Sequence, residues 1–224
     1  MRLRRIEIGG MGGPMPATLG VPDAYPPGPA VVVVQEWWGL NGHIESFIDR
    51  FAAIGFAALA PDLYRGEVAT EPDEAEKTMM RMDNDRAIGD IKGAVSFLLN
   101  QGASAVGVLG FCMGGWLTWE TAFEDDRLAA AVAFYGMAEP KDRQLRCPIQ
   151  GHFGTGDYFD RAVLEATAAQ LTSRDDGSEL FLYEGAPHAF MNDTGDSYRP
   201  DAADLAWKRT IAFLTDKLGA PLPV

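Results

Sequence analysis

The sequence has only two cysteines, Cys112 and Cys147, among its 224 residues. Two thiols cannot build a disulfide framework, and they do not follow the spacing of a zinc site, so reduced thiols are expected. Basic residues are also scarce: 19 Lys and Arg stand against 32 Asp and Glu, a formal net charge of -13. A surplus of that size repels phosphate backbones and anionic membranes, which argues against nucleic-acid and membrane partners. No apolar run approaches the roughly 20 residues that span a bilayer, and no apolar h-region follows the basic start Met1-Arg2-Leu3-Arg4-Arg5-Ile6. A soluble, cytoplasmic protein is the expectation. With neither a dinucleotide fingerprint nor a metal-ligand pattern, no cofactor and no metal are expected.

What is present is ordinary for a folded domain: 47% hydrophobic and 23% charged residues, in a length that suits a single domain over residues 1–224. Arg2 to Ile8 and Met15 to Val21 read as a leading hairpin across a glycine-rich turn. Ala30-Val31-Val32-Val33-Val34 is a β-branched run of the kind buried on both faces of a parallel sheet. A helical pattern follows from His43, with Ile44, Phe47, Ile48, Phe51 and Ala52 in phase and Gly55 as a stop. Phe56 to Ala60 is the next strand, and the acidic stretch Glu67 to Glu76 reads as a solvated loop or helix start. A long helix carries Ile88, Ile91, Val95 and Leu98 on one face. Further strands are expected at Ala105–Leu109, Leu128–Tyr135, Pro148–Gly154 and Glu179–Tyr183. The helix Arg161–Leu171 separates the last two, and a closing helix presents Trp207, Ile211, Leu214 and Leu218 together. Such alternation predicts a mostly parallel central sheet with helices on both faces.

Within that frame, Gly110-Phe111-Cys112-Met113-Gly114-Gly115 lies between a strand and a helix. This is the arrangement of a nucleophile elbow with cysteine in the nucleophile position. Glycines two before and two after the nucleophile remove side chains that would collide with the strand and helix. A cysteine at the first turn of a helix also feels the positive end of the helix dipole, which favours the reactive thiolate.

In a parallel sheet, ligands bind beyond the carboxyl ends of the strands. Four side chains with suitable chemistry are expected there: Glu36, Cys112, Asp157 and His188. A nucleophile needs a base, and the base needs a group to orient it. Of the three histidines, His43 suits a helix cap or surface position and His152 lies inside a strand. His188 sits in a turn-rich loop and is the candidate base. Asp157, in Gly154-Thr155-Gly156-Asp157, is either its orienter or a turn and N-cap residue. The order Cys112, Asp157, His188 matches the nucleophile, acid, base order of the α/β-hydrolase fold. In that fold the oxyanion is received by main-chain N–H groups, here those of Trp37 and Met113. Trp37, Trp38 and Tyr64 serve equally well as pocket lining or as core.

With these residues identified, the chain resembles the dienelactone hydrolase family over essentially its whole length. The elbow, Gln35-Glu36-Trp37-Trp38-Gly39, Pro61-Asp62-Leu63-Tyr64, Gly156-Asp157 and His188-Ala189-Phe190 carry the resemblance, in order. It implies an α/β-hydrolase that opens a small ester or lactone through Cys112, with His188 as base and Asp157 as orienter, by way of an acyl-thioester. It further implies that Glu36 interacts with the resting thiol; a buried carboxylate capping nearby amides is the alternative. The chain departs from the family's chlorocatechol-pathway members, which hold a substrate carboxylate with an arginine four residues after the histidine. Asn192 stands there, and Ala189 replaces the serine expected after the histidine. A neutral amide cannot supply the bidentate contact of a guanidinium. Arg65 and Arg81 are cations that could compensate, or surface residues. The alternatives are a general carboxylesterase or thioesterase, or a weakly catalytic thiol redox sensor using Cys112. The expected partner is a small ester or lactone, and the expected state a monomer or small homo-oligomer.

Overall fold

The structure is a computed structural model that describes residues 3–22, 28–139 and 142–219. Arg2, expected to begin the first strand, lies outside them. Eight strands form one sheet in the order β1-β2-β4-β3-β5-β6-β7-β8. The hairpin β1 (Arg4–Gly10) and β2 (Gly13–Gly20) is antiparallel, and β2 joins β4 (Ala57–Pro61) antiparallel as well. All remaining pairings are parallel, through β3 (Ala30–Val34), β5 (Val106–Phe111), β6 (Ala130–Phe134), β7 (Ile149–Gly154) and β8 (Glu179–Tyr183).

The valine run explains why β3 is central. Its side chains alternate between faces: Val32 and Val34 enter the core beneath one set of helices, Val31 and Val33 the core beneath the other. The first face is covered by α3 (Asn84–Asn100), α4 (Met113–Glu124) and α5 (Arg161–Thr172), the second by α1 (Gly42–Ala53) and α6 (Pro200–Leu218). The acidic stretch forms a short helix, α2 (Pro72–Met80), whose one buried residue is Ala75.

One expectation needs correction. Asn41, not His43, caps α1, accepting from the Ile44 N–H at 3.2 Å, while His43 is buried with its ring edge-on to Phe47. On α6 the buried stripe runs through Ala203, Ala206, Thr210 and Phe213 to Leu214 and Leu218. Trp207 and Ile211 flank it, half-buried, because the indole of Trp207 lies under the guanidinium of Arg50, 3.8 Å from its ring centre.

Because β3, β5, β6, β7 and β8 run in the same direction, the loops that follow them emerge on one edge. Those loops hold Glu36, Cys112, Tyr135, Asp157 and His188.

Candidate active site

Cys112 is the N-cap of α4 and has φ 54° and ψ -117°. A side chain seldom adopts such a conformation, and the surrounding contacts must hold it there. The glycines show how tightly the turn is closed. A Cβ on Gly110 would lie 2.1 Å from the carbonyl oxygen of Gly114, and one on Gly114 would lie 2.5 Å from that of Gln35. Cys112 donates its own N–H to the Phe134 carbonyl at 3.0 Å, which ties the elbow to the end of β6. Tyr135 and Ala189, also at positive φ (37° and 60°), stand beside it around the site.

His188 Nδ1 is 2.9 Å from Oδ2 of Asp157. The carboxylate is shut away from solvent, with 0% side-chain exposure against 27% for the imidazole, and its Oδ1 accepts the Tyr158 N–H at 2.7 Å. With Nδ1 engaged, the other side of the ring is left for Cys112, which lines the same cleft. Burial opposes the imidazolium, but the hydrogen bonds to Asp157 and Cys112 and the charges of both groups outweigh it, so the His188 pKa is raised to about 10. Tyr158 stacks on the imidazole with ring centres 5.0 Å apart, and Tyr135 meets it edge-on at the same distance. The ring is therefore fixed by a hydrogen bond and two aromatic contacts.

Glu36 is 2% exposed. Its Oε1 accepts from the Tyr135 hydroxyl at 3.1 Å and its Oε2 from Nδ2 of Asn192 at 2.8 Å. The amide of Asn192 cannot flip without loss, since its Oδ1 accepts from the N–H and hydroxyl of Thr194 at 3.1 and 2.6 Å. Glu36 and Cys112 line the same cleft. Among the described residues the hydrogen bonds to the carboxylate come from Tyr135 and Asn192, which hold it in its place. The Tyr135 hydroxyl is held far on its neutral, donating side by burial and by the charge of Glu36.

A cleft of about 830 Å³ opens over the elbow. Glu36, Cys112, Met113, His188, Trp37 and Trp38 line it. The main-chain N–H groups of Trp37 and Met113 thus belong to residues on the same cleft wall as the thiol. Of its two readings Tyr64 takes the core one, and Asn192, considered for the pocket, also stands outside the lining. Tyr64 is buried behind the wall, its hydroxyl 3.2 Å from the Met113 sulfur, and Asn192 lies beneath the floor, bonded to Glu36. Both are large enough to reach a cleft, but each has a buried partner that fixes it. Arg65 pairs with Asp90 at 2.7 Å and Arg81 with Glu67, and neither lines the cleft.

Sequence reasoning missed Tyr135, Trp116, Met137, Tyr158, Phe159 and the methionines Met79, Met80 and Met82, which the fold brings to this site. The rule that chemistry gathers after strands points to Tyr135, the first residue beyond β6. No comparable signal marks the methionines, which arrive from α2 and the turn after it. Among the described residues, no three His, Cys, Asp or Glu side chains are arranged to hold a metal ion. No helix among them is long and apolar enough to cross a membrane.

Comparison with known proteins places the geometry in context. A profile of the Dienelactone hydrolase family matches residues 15–218. Protein usf of Aquifex pyrophilus is 36% identical over 209 residues, covering 85% of this chain and 89% of its own. A protein of Methylorubrum extorquens provisionally named a carboxymethylenebutenolidase is 29% identical over 225 residues, covering 91% and 77%. A crystal structure from Klebsiella pneumoniae, provisionally named a dienelactone hydrolase, superimposes with a TM-score of 0.86 at 28% identity, over 96% of this chain and 98% of that one.

Proposed function

On the premise that the chain belongs to the dienelactone hydrolase family and shares its α/β-hydrolase fold and ester- and lactone-hydrolysing character, we propose that it is a cysteine hydrolase in which Cys112, His188 and Asp157 act as a triad. The observation that carries this reading is the imidazole of His188, held at 2.9 Å by a solvent-free carboxylate and sharing one cleft with the elbow cysteine.

The chemistry follows from that arrangement. The Cys112 thiolate adds to the carbonyl carbon of an ester or lactone, and its former proton resides on His188. The carbonyl oxygen becomes an oxyanion that the Trp37 and Met113 N–H groups receive; loss of one such donor typically costs about 3 kcal/mol. Collapse of the tetrahedral intermediate breaks the C–O bond. His188 delivers its proton to the leaving oxygen, which leaves an acyl-thioester on Cys112. His188 then takes a proton from water, whose oxygen attacks the thioester; collapse releases the carboxylic acid and restores the thiol. Asp157 stabilises the imidazolium throughout without taking its proton. Glu36, fixed by Tyr135 and Asn192, contributes a standing negative charge to the cleft.

Alkylation tests the role of Cys112. One equivalent of iodoacetamide is expected to modify Cys112 alone and to abolish hydrolysis of 4-nitrophenyl acetate. Cys147 is expected to resist because it is buried and its thiol is pushed up to about 12. Mass spectrometry locates the adduct. Full activity in protein alkylated at Cys112 discards the proposal.

A further inference from the structure

The rest of the cleft lining has a composition that the reaction itself does not require. Met79, Met80 and Met82 reach it from α2 and the following turn, and Trp116, Met137 and Phe159 complete it. Among the described residues no lysine or arginine lines the cleft, and the acid that does, Glu36, is buried and hydrogen-bonded as an acceptor. The helix that brings the methionines is itself poorly buried: Ala75 is its one buried residue, and Met80 is 76% exposed. An apolar side chain left in water at the rim of a cavity gains most when an apolar ligand covers it. Unbranched thioethers adapt to ligands of different shape.

We propose that the substrates are neutral esters or lactones with an extended apolar group that packs on this methionine and aromatic wall, and that carboxylate-bearing substrates are rejected. The inference rests on the cysteine hydrolase reading for its chemistry and on the wall for its specificity. A substrate carboxylate in this cleft would lose its hydration, find no cation among the lining residues and face the charge of Glu36. An added methylene would instead bury apolar area against the sulfurs. Each should raise kcat/KM about threefold to fourfold until the wall is covered.

The test compares 4-nitrophenyl esters of acetate, butyrate and hexanoate, together with a pair that differs only in charge, 4-nitrophenyl methyl succinate and 4-nitrophenyl hydrogen succinate. The expected result is a rise from acetate to hexanoate, with the methyl ester favoured over the free acid by at least about tenfold in kcat/KM. Met80→Arg, at an exposed position that leaves folding undisturbed, should narrow the gap between the last two by about threefold or more. Equal or better turnover of the free acid overturns the substrate class while leaving the cysteine chemistry intact. The converse failure is separable by titrating Cys112→Ala calorimetrically with the same two succinates. Preferential binding of the methyl ester by this variant, with no turnover by the native protein, upholds the class and sinks the cysteine chemistry. Equal or tighter binding of the free acid overturns the class.

Discussion

Two histidines sit in hydrogen-bond networks at successive places in the sheet, and the networks drive them in opposite directions. His152 lies within β7, fully buried. Its Nδ1 is 2.8 Å from the Tyr183 hydroxyl, and its Nε2 is 2.9 Å from Oε1 of Gln150 and 3.2 Å from the Thr210 hydroxyl. Burial, aided by the charge of Arg209, lowers its pKa to about 3. His188, on the loop after β8, is raised to about 10 despite its burial. The difference is the neighbour. Hydroxyls and an amide can satisfy a neutral imidazole, but only the carboxylate of Asp157 and the sulfur of Cys112 reward a charged one. One ring is a fixed part of the core; the other is able to hold and return a proton.

The sharpest way to break this contrast is to delete each ring. His188→Ala should lower kcat/KM for a neutral ester by roughly 10²- to 10⁴-fold in protein that still folds. His152→Gln should leave kcat/KM within about threefold while lowering stability by about 2 kcal/mol through disturbed buried hydrogen bonds, a fall of roughly 4–8 °C in midpoint. Steady-state kinetics and thermal unfolding on the same two variants decide it. An exchange of the two phenotypes would show that the roles have been assigned the wrong way round.

A second prediction uses pH, with the sign set by linkage. His152 has a folded pKa of about 3, below the unfolded value of about 6.5. Its contribution is therefore complete above the unfolded value and is lost as pH falls from there towards 3. His188 has a folded pKa of about 10, above its unfolded value, so its contribution is complete below about 6.5 and is lost as pH rises through 10. Urea unfolding between pH 7.5 and 4.5 should show a decline of up to about 1.4 kcal/mol per pH unit that is absent in His152→Gln. An unchanged acid slope in that variant would refute it.

The smallest expected effect concerns the second carboxylate of the site. Asn192→Ala removes the 2.8 Å donor to Glu36 and frees Thr194. Loss of one hydrogen bond to a charged group predicts about a tenfold fall in kcat/KM, smaller than the loss of the base. A fall as large as that of His188→Ala would make Glu36 as central as Asp157, and kinetics on the two variants measure which is true.

These residues also mark what could be read before the structure. Ala30–Val34 and Glu179–Tyr183 have the bounds expected from sequence, because a short apolar run between turns is a local signal. The elbow was legible for the same reason, its constraints lying within five consecutive residues. Tyr64, which suits core or cleft equally by sequence, is buried against Met113, and Asn192, considered for the pocket, against Glu36, because a loop residue's position does not reveal its partner across the fold. His43 was expected as a cap or at the surface, yet Asn41 supplies the cap and the imidazole turns inward. Met79 and Met80 lie just beyond the acidic stretch Glu67 to Glu76, in a helix with one buried residue, so no apolar face in the sequence marks them as cleft lining.

The closed packing of the elbow has one further consequence. Its closest contacts fall on Gly110 and Gly114, whose missing Cβ atoms make room for main-chain carbonyls, while the residue at position 112 lines the open cleft. The turn therefore specifies a place and leaves the occupant open. A backbone built this way works as a socket: a reactive group of similar size can be exchanged there while strand, helix and partner loops keep their positions, so the scaffold and its chemistry can vary independently.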